Sequence, residues 1–337
     1  MSGPGSMSTT VYKGLGRYFS STLVRMLTLL GAVSLISFML IALSPIDPID
    51  AYLGDAHVSE EQRANIAEHW GLNKSPVERY GIWITHVLQG DMGESITYRQ
   101  PVAKVIGERF RASLALMGVA WVLSGVLGFT LGIIAAVNKG KWIDRFIKTF
   151  CLILASTPLF WLGLLFLMVF AVYLQWFPLG LAAPINKLAH EVTLGDKIYH
   201  LILPALTLSI TGVAGIALHT RQKFIDVLKS EYVLFAKARG EKPREIIRRH
   251  GLRNIALPGI TLQFASVSEL FGGSVLAEKV FSYPGLGNAA THAGLKGDAP
   301  LLLGIALFSV LFVFTGNFLA NVIYGIVDPQ IREGGSS

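Results

Sequence analysis

Six mostly apolar runs, each near or above the ~20 residues an α-helix needs to cross a bilayer, leave this chain few ways to fold. In hydrocarbon a backbone must satisfy its own hydrogen bonds, so such runs become helices. The runs are Leu23–Leu43, Ser113–Val137, Ile147–Leu174, Leu201–His219, Ala256–Leu276 and Leu301–Ile326. The fourth is shorter and carries Pro204, Gly212 and Gly215. Glycines recur in the spans, which suits close helix packing in lipid. The expectation is an all-α integral membrane protein with six transmembrane helices. Composition agrees, with 52% hydrophobic and 15% charged residues in a chain of 337, against about 25% charged in a soluble domain.

Charge placement gives the sidedness. Lys13 and Arg17 precede the first span, and Lys139, Lys141, Arg145 and Lys148 separate the second from the third. Between the fourth and fifth, residues 221–256 hold ten Lys or Arg against four Asp or Glu. These regions fall on one side, which the positive-inside rule makes cytoplasmic, and both termini follow. The net charge of +7 is therefore a matter of topology, and no nucleic-acid partner is expected. The opposite side receives residues 44–111, with seven basic and ten acidic residues.

The first six residues, "MSGPGS", read as a leader of cloning origin before a natural start at Met7. Residues 7–22 are then a cytoplasmic segment and residues 23–43 the first span, an uncleaved anchor rather than a signal peptide. Its apolar stretch exceeds the usual 7–15 residues, and no small-x-small site follows. Residues 44–111 form a small external helical cap. Ser59 and Ser75 are candidate N-caps, Pro76 suits a first helical turn, Gly90 suits a stop, and Ile66 and Trp70 share a face. Residues 112–326 are the remaining spans, and residues 327–337 a cytoplasmic tail. The lone Cys151 excludes an internal disulfide.

The basic segment is organised. Residues 221–239 favour helix and Gly240 breaks it. Pro243 suits the first turn of a second helix, Glu245 lies near its positive end, and Arg248, Arg249 and His250 lie in its last turn, closed by Gly251. Val233, Ala236 and Gly240 put small residues on one face, expected to let another protein approach. Basic residues beside it suit lipid headgroups or an acidic rim.

This segment resembles the "EAA" coupling loop of ABC importer permeases. The resemblance is carried by Glu231, Ala236, Ala238 and Gly240, then by His250, Leu252, Arg253, Asn254 and Pro258 in the pattern H-x-L-R-N-x-x-x-P. Further stretches are similar to the dipeptide, oligopeptide and nickel permeases: "SPIDP" after the first span (Ile46 replacing the usual glycine), "GDMGES" at residues 90–95, "STPLFWLGLL" at 156–165, "HLILPALTL" at 200–208, "GGSVLAEKVFSYPGLG" at 272–287 and "VDPQIR" at 327–332. Together they span nearly the whole chain. The resemblance implies the type I, MetI-like importer fold with a small helical periplasmic insertion between the first two spans. It also implies a second, related permease subunit, two ATPase subunits, and a periplasmic or lipid-anchored binding protein. Transport would be alternating access, driven by motors gripping the coupling loop.

Absences fit that role. There is no GxxxxGK[ST] loop, no HExxH or paired-cysteine motif and no GxSxG frame. The expectation is a chain with no catalytic residues, metal or cofactor of its own, ATP and Mg residing on the partners. Pathway candidates are Glu269, Glu278, Asn317 and Asn321. A carboxylate within a span is costly unless it meets protein, water or substrate. Glu269 lies in a stretch resembling the "GELIGG" of nickel-type permeases, which inclines the cargo toward metal or metal chelate, with peptides open. Glu278 precedes the family's F-x-x-P-G turn, where a structural role is favoured over lining; Asn317 and Asn321, four apart on one face, read as polar glue before pathway lining. Inner-membrane localisation follows. An ATP-independent channel or secondary carrier is the alternative class.

Overall fold

The computed structural model describes residues 6–45, 48–53, 59–69, 72–188 and 190–327. The "VDPQIR" stretch and Trp70 fall wholly or mostly outside these, as do the side chains of Arg253 and Pro258. By contacts the chain forms two units, Met1–Gly107 with Ala290–Thr315, and Glu108–Ala289 with Gly316–Ser337.

In the first unit, α1 (Ser6–Ala42) is followed by the short α2 (Pro48–Leu53), α3 (Glu60–His69) and α4 (Pro76–Leu88). The expected caps form. The Ser59 hydroxyl accepts from Gln62 N–H at 3.2 Å, and Ser75 with Glu78 makes a reciprocal capping box behind Pro76. The cap rests on α1, where Tyr80 and Ser34 hydroxyls lie 2.8 Å apart and Phe38 packs against Tyr80 and Trp83. Gly90 turns the chain at φ +89°.

The "GDMGES" stretch then makes a two-stranded ribbon that helix-based reading missed. Strand β1 (Glu94–Ser95) pairs antiparallel with β2 (Gln100–Pro101), Ser95 opposite Gln100. Ser95 Oγ donates to Asp298 Oδ2 at 2.6 Å, and Thr97 N–H donates to the same oxygen at 2.8 Å. Asp298, fully buried, also accepts from Leu301 N–H at 3.2 Å, capping α14 (Ala299–Val327). The signature is thus a clasp around one buried carboxylate.

The second unit is built on α8 (Leu194–Leu228), which packs against α6 (Trp142–Ser156), α7 (Leu159–Phe166), α11 (Leu252–Ala265) and α12 (Val267–Val280). Thr193 and Asp196 form its capping box. α5 (Val102–Val137) comes close through glycines: a Cβ on Gly132 would sit 2.6 Å from the Ala217 carbonyl, and one on Gly128 2.8 Å from Ile216 Cβ. Dense contact through small residues replaces a hydrophobic drive that lipid does not supply.

Two expected spans are bent. The third breaks between α6 and α7, which meet at 108°, and a π-helical turn, Leu167–Tyr173, ends it. Pro158 explains the break, because it disfavours helix at Thr157 and has no N–H to give. The fifth bends by 48° between α11 and α12 at Ser266, where neither proline nor glycine stands. Among the described residues four helices are long and apolar enough to span, or six if each bent pair counts as one.

Candidate functional site

Residues 221–256 differ from their sequence reading in three ways. Helix does not run from Arg221 to Arg239; α8 ends at Leu228 and α9 (Glu231–Ala238) starts anew after Ser230, whose backbone is extended at ψ 154°. The Ser230 hydroxyl donates to Val227 O at 2.6 Å and so closes α8 instead of capping α9. Gly251 does not close the second helix either. α10 (Pro243–Ile246) passes through a π-helical stretch, Ile247–Gly251, directly into α11. Third, Val233 and Ala236 are not open to a partner. Both are buried with Ile246 and the flank of Leu228, so the small-residue face is filled by the segment's own second half.

The two glycines do different work. Gly240 has φ +81° and no atom within 4 Å of where a Cβ would stand, so it supplies conformation. Its N–H donates to Lys237 O at 3.0 Å and Glu241 N–H donates to Ala236 O at 3.2 Å, the paired bonds of a glycine-ended helix. Gly251 has ordinary φ but no room: a Cβ would lie 2.3 Å from Phe224 Cε2. It lets α11 press onto the buried cluster of Ala136, Phe224, Ile225 and Ile255, with Leu252 alongside.

The motif residues His250 and Asn254 clip the segment shut. His250 Nε2 lies 3.1 Å from Glu241 Oε2, and Asn254 Nδ2 donates to His250 O at 2.7 Å and to the Tyr232 hydroxyl at 3.2 Å. α9 is thereby held against the start of α11. Facing away are Tyr232, Leu234 and Phe235, exposed by 45%, 54% and 65%, with Glu231, Lys237, Ala238 and Arg239 around them.

Sequence reading missed the anchor behind this segment. Arg221 Nε and Nη2 donate to the two carboxylate oxygens of Asp144 at 2.6 and 2.8 Å, a bidentate pair with Asp144 almost wholly buried. Gly140 N–H, in a left-handed turn at φ +82°, donates to Asp144 Oδ2 at 2.8 Å. The acid stands in a basic loop, and its spacing from the Gly140 turn is the one signal the sequence offers for it. Beside it, the neighbouring Lys229 ammonium holds the Lys139 amine below its ordinary value, Arg221 acting likewise and Asp144 opposing.

The pathway candidates separate. Glu278, fully buried, accepts from Ser113 Oγ at 2.6 Å and from the N–H groups of Gly287 and Asn288 at 2.8 and 3.1 Å. Those amides open α13 (Leu286–Leu295), so the carboxylate sits at a helix N-terminus, where negative charge is favoured. Leu286 N–H donates to Ser113 Oγ at 2.7 Å and completes the shell. A Cβ on Gly285 would overlap the Glu278 carboxyl. Glu278 is enclosed and lines no open surface. Glu269, in the first turn of α12, is exposed, as are Asn317 and Asn321; Ser268 Oγ donates to Asn317 Oδ1 at 2.6 Å. Among the described residues no three His, Cys, Asp or Glu side chains converge to hold a metal ion.

The long apolar helices gathered on α8 thus carry, between α8 and α11, a clipped segment with an outward apolar face. Residues 128–333 match the family described as "Binding-protein-dependent transport system inner membrane component". The chain is 35% identical to the oligopeptide transport system permease AppB of Bacillus subtilis, over 92% of this chain and 97% of that protein. It is 32% identical to the di/tripeptide permease DppB of Pseudomonas aeruginosa (89% and 94%), and 34% identical to the glutathione permease GsiC of Escherichia coli K12 (94% and 98%). Its fold is similar to a chain of the methionine ABC transporter MetNI, with a TM-score of 0.54 at 17% identity over 67% of this chain and 97% of that one. The chain belongs to the binding-protein-dependent inner membrane component family: it is an ABC importer permease of the all-α type I fold, a multi-pass inner-membrane protein, in a family of transporters and not of enzymes.

Proposed function

We propose that this chain carries di- or oligopeptides across the inner membrane in a heterodimer with a second, related permease. Two ATPase subunits drive it, and a periplasmic or lipid-anchored binding protein delivers cargo above residues 44–111. The observation that carries the reading is the α9 segment, clipped through the Tyr232 hydroxyl to Asn254 while Leu234, Phe235 and the half-exposed Tyr232 ring form its outer side. An apolar ridge rimmed by Lys237 and Arg239 fits a groove on a partner protein rather than bulk water. The basic residues around it also suit the headgroups of the cytoplasmic leaflet, and both termini lie on that side.

In this mechanism ATP and Mg bind the partner subunits, and this chain hydrolyses nothing. ATP binding draws the two coupling segments together. The motion passes through the His250–Asn254 clip and the Asp144–Arg221 pair into α6, α8 and α11, and the cavity opens outward. Hydrolysis returns it inward, a cycle between states of different affinity. Peptide cargo is favoured over metal because the similar permeases are named for oligopeptides, di/tripeptides and glutathione. In proteoliposomes holding the full complex, ATP-dependent uptake of trialanine supports the reading. Uptake unaltered by deleting residues 231–250, or seen with this chain alone and no ATPase, overturns it in favour of a channel or carrier.

A further inference from the structure

We propose that Glu269 is the anionic contact of the translocation path and takes the protonated α-amino group of a passing peptide. The inference rests on the peptide-permease reading and adds the chemical group that is recognised.

Charge counting singles the residue out. No Lys or Arg lies between Arg253 and Lys279, and the acids in that interval are Glu269 and Glu278. α14 has no charged residue from Ala299 to Val327. Glu278 is spent on Ser113 and the start of α13. The Glu269 carboxylate has no ion pair or hydrogen bond among the described residues, and its side chain is exposed. It therefore stands as an uncompensated negative charge on the fifth span.

Depth makes that charge informative. Glu269 lies eleven residues before the end of α12 at Val280, or about 16 Å along the helix, well inside a bilayer core about 30 Å thick. A carboxylate held there against lipid is costly, so the face bearing it meets water or protein. Its neighbours match a wet face. Ser268 bonds Asn317, and Asn321 follows one turn along α14, exposed like Asn317. Close to Glu269 in the chain or on α14 are thus one hydroxyl, already given to Asn317, and two exposed amides, at the level of the bend at Ser266. Amides pair with peptide bonds, and a carboxylate pairs with an ammonium in a charge-assisted hydrogen bond. A bare divalent cation needs several converging ligands, and none join Glu269 among the described residues.

The test uses the full complex in proteoliposomes, with its binding protein and trialanine as probe. E269Q is expected to lower uptake about tenfold or more, the worth of one charged hydrogen bond, while E269D keeps most of it. Binding-protein-stimulated ATP hydrolysis should stay within about twofold. Charge itself is read with E269C, made in a C151A background because Cys151 is the lone and buried thiol. Modification with sulfonatoethyl methanethiosulfonate, which restores a negative charge, should recover uptake; the trimethylammonium reagent should not. Wild-type uptake by E269Q overturns the proposal. So does an E269C that no water-soluble reagent reaches in the assembled complex, which identifies a contact buried against protein. A wild-type complex that moves no peptide sinks the functional reading instead.

Discussion

The coupling segment and the turn that joins α12 to α13 are both glycine-bearing elbows leading into a helix, and they are built in opposite ways. Around the α12–α13 turn the polar groups are used internally: Glu278 meets a hydroxyl and two amides, and Ser113 is itself held by Leu286 N–H. The coupling segment turns its small residues inward and leaves an apolar ridge and its basic side chains outside. The first is finished within one chain. The second leaves an apolar ridge uncovered among the described residues. A glycine-bearing motif in a membrane protein thus sorts by whether its side chains close on themselves.

The largest break in this contrast comes from the closed elbow. Glu278→Ala leaves a hydroxyl and two amides unpaired in a buried site, each worth about 1–3 kcal/mol. Loss of folded complex, seen as a collapsed melting transition in detergent, is expected; an unchanged Tm would show that the shell contributes nothing. Gly251→Ala comes next, because its Cβ must displace the fully buried ring of Phe224, an overpacking cost of about 1–3 kcal/mol. Gly240→Ala should cost less, about 1–2 kcal/mol of left-handed backbone strain, since nothing crowds the site. Gly240→Asn should recover part of it, as asparagine tolerates that conformation; equal melting of all three glycine variants would contradict the division of roles. The smallest effect on melting is expected for Phe235→Asp, on the open ridge, which should leave Tm unchanged and weaken only the grip of the ATPase.

Much of this plan was legible in the sequence. Run length marked the long apolar helices, and Ser75, Pro76 and Gly90 marked α4 because caps and turns are local chemistry. Pro158 marked the broken third span for the same reason, although a continuous helix was expected there. The bend at Ser266 carries no proline or glycine and left no trace in the residues around it. The coupling segment was legible as a pattern but misread as a face: the small residues meet Ile246, ten residues beyond Ala236, and only folding back brings them together. Asp144–Arg221, Ser113–Glu278 and Ser95–Asp298 join positions 77, 165 and 203 residues apart, beyond the reach of any local spacing.

The central claim is that the exposed ridge of α9 is the handle through which an ATPase moves this permease. The most direct measurement is ATP-dependent trialanine uptake by proteoliposomes carrying the full complex with Phe235→Asp. The account predicts a chain that is folded, inserted and of unchanged Tm, with uptake largely abolished and the ATPase subunits lost on co-purification. Wild-type uptake with the ATPases still bound would contradict it.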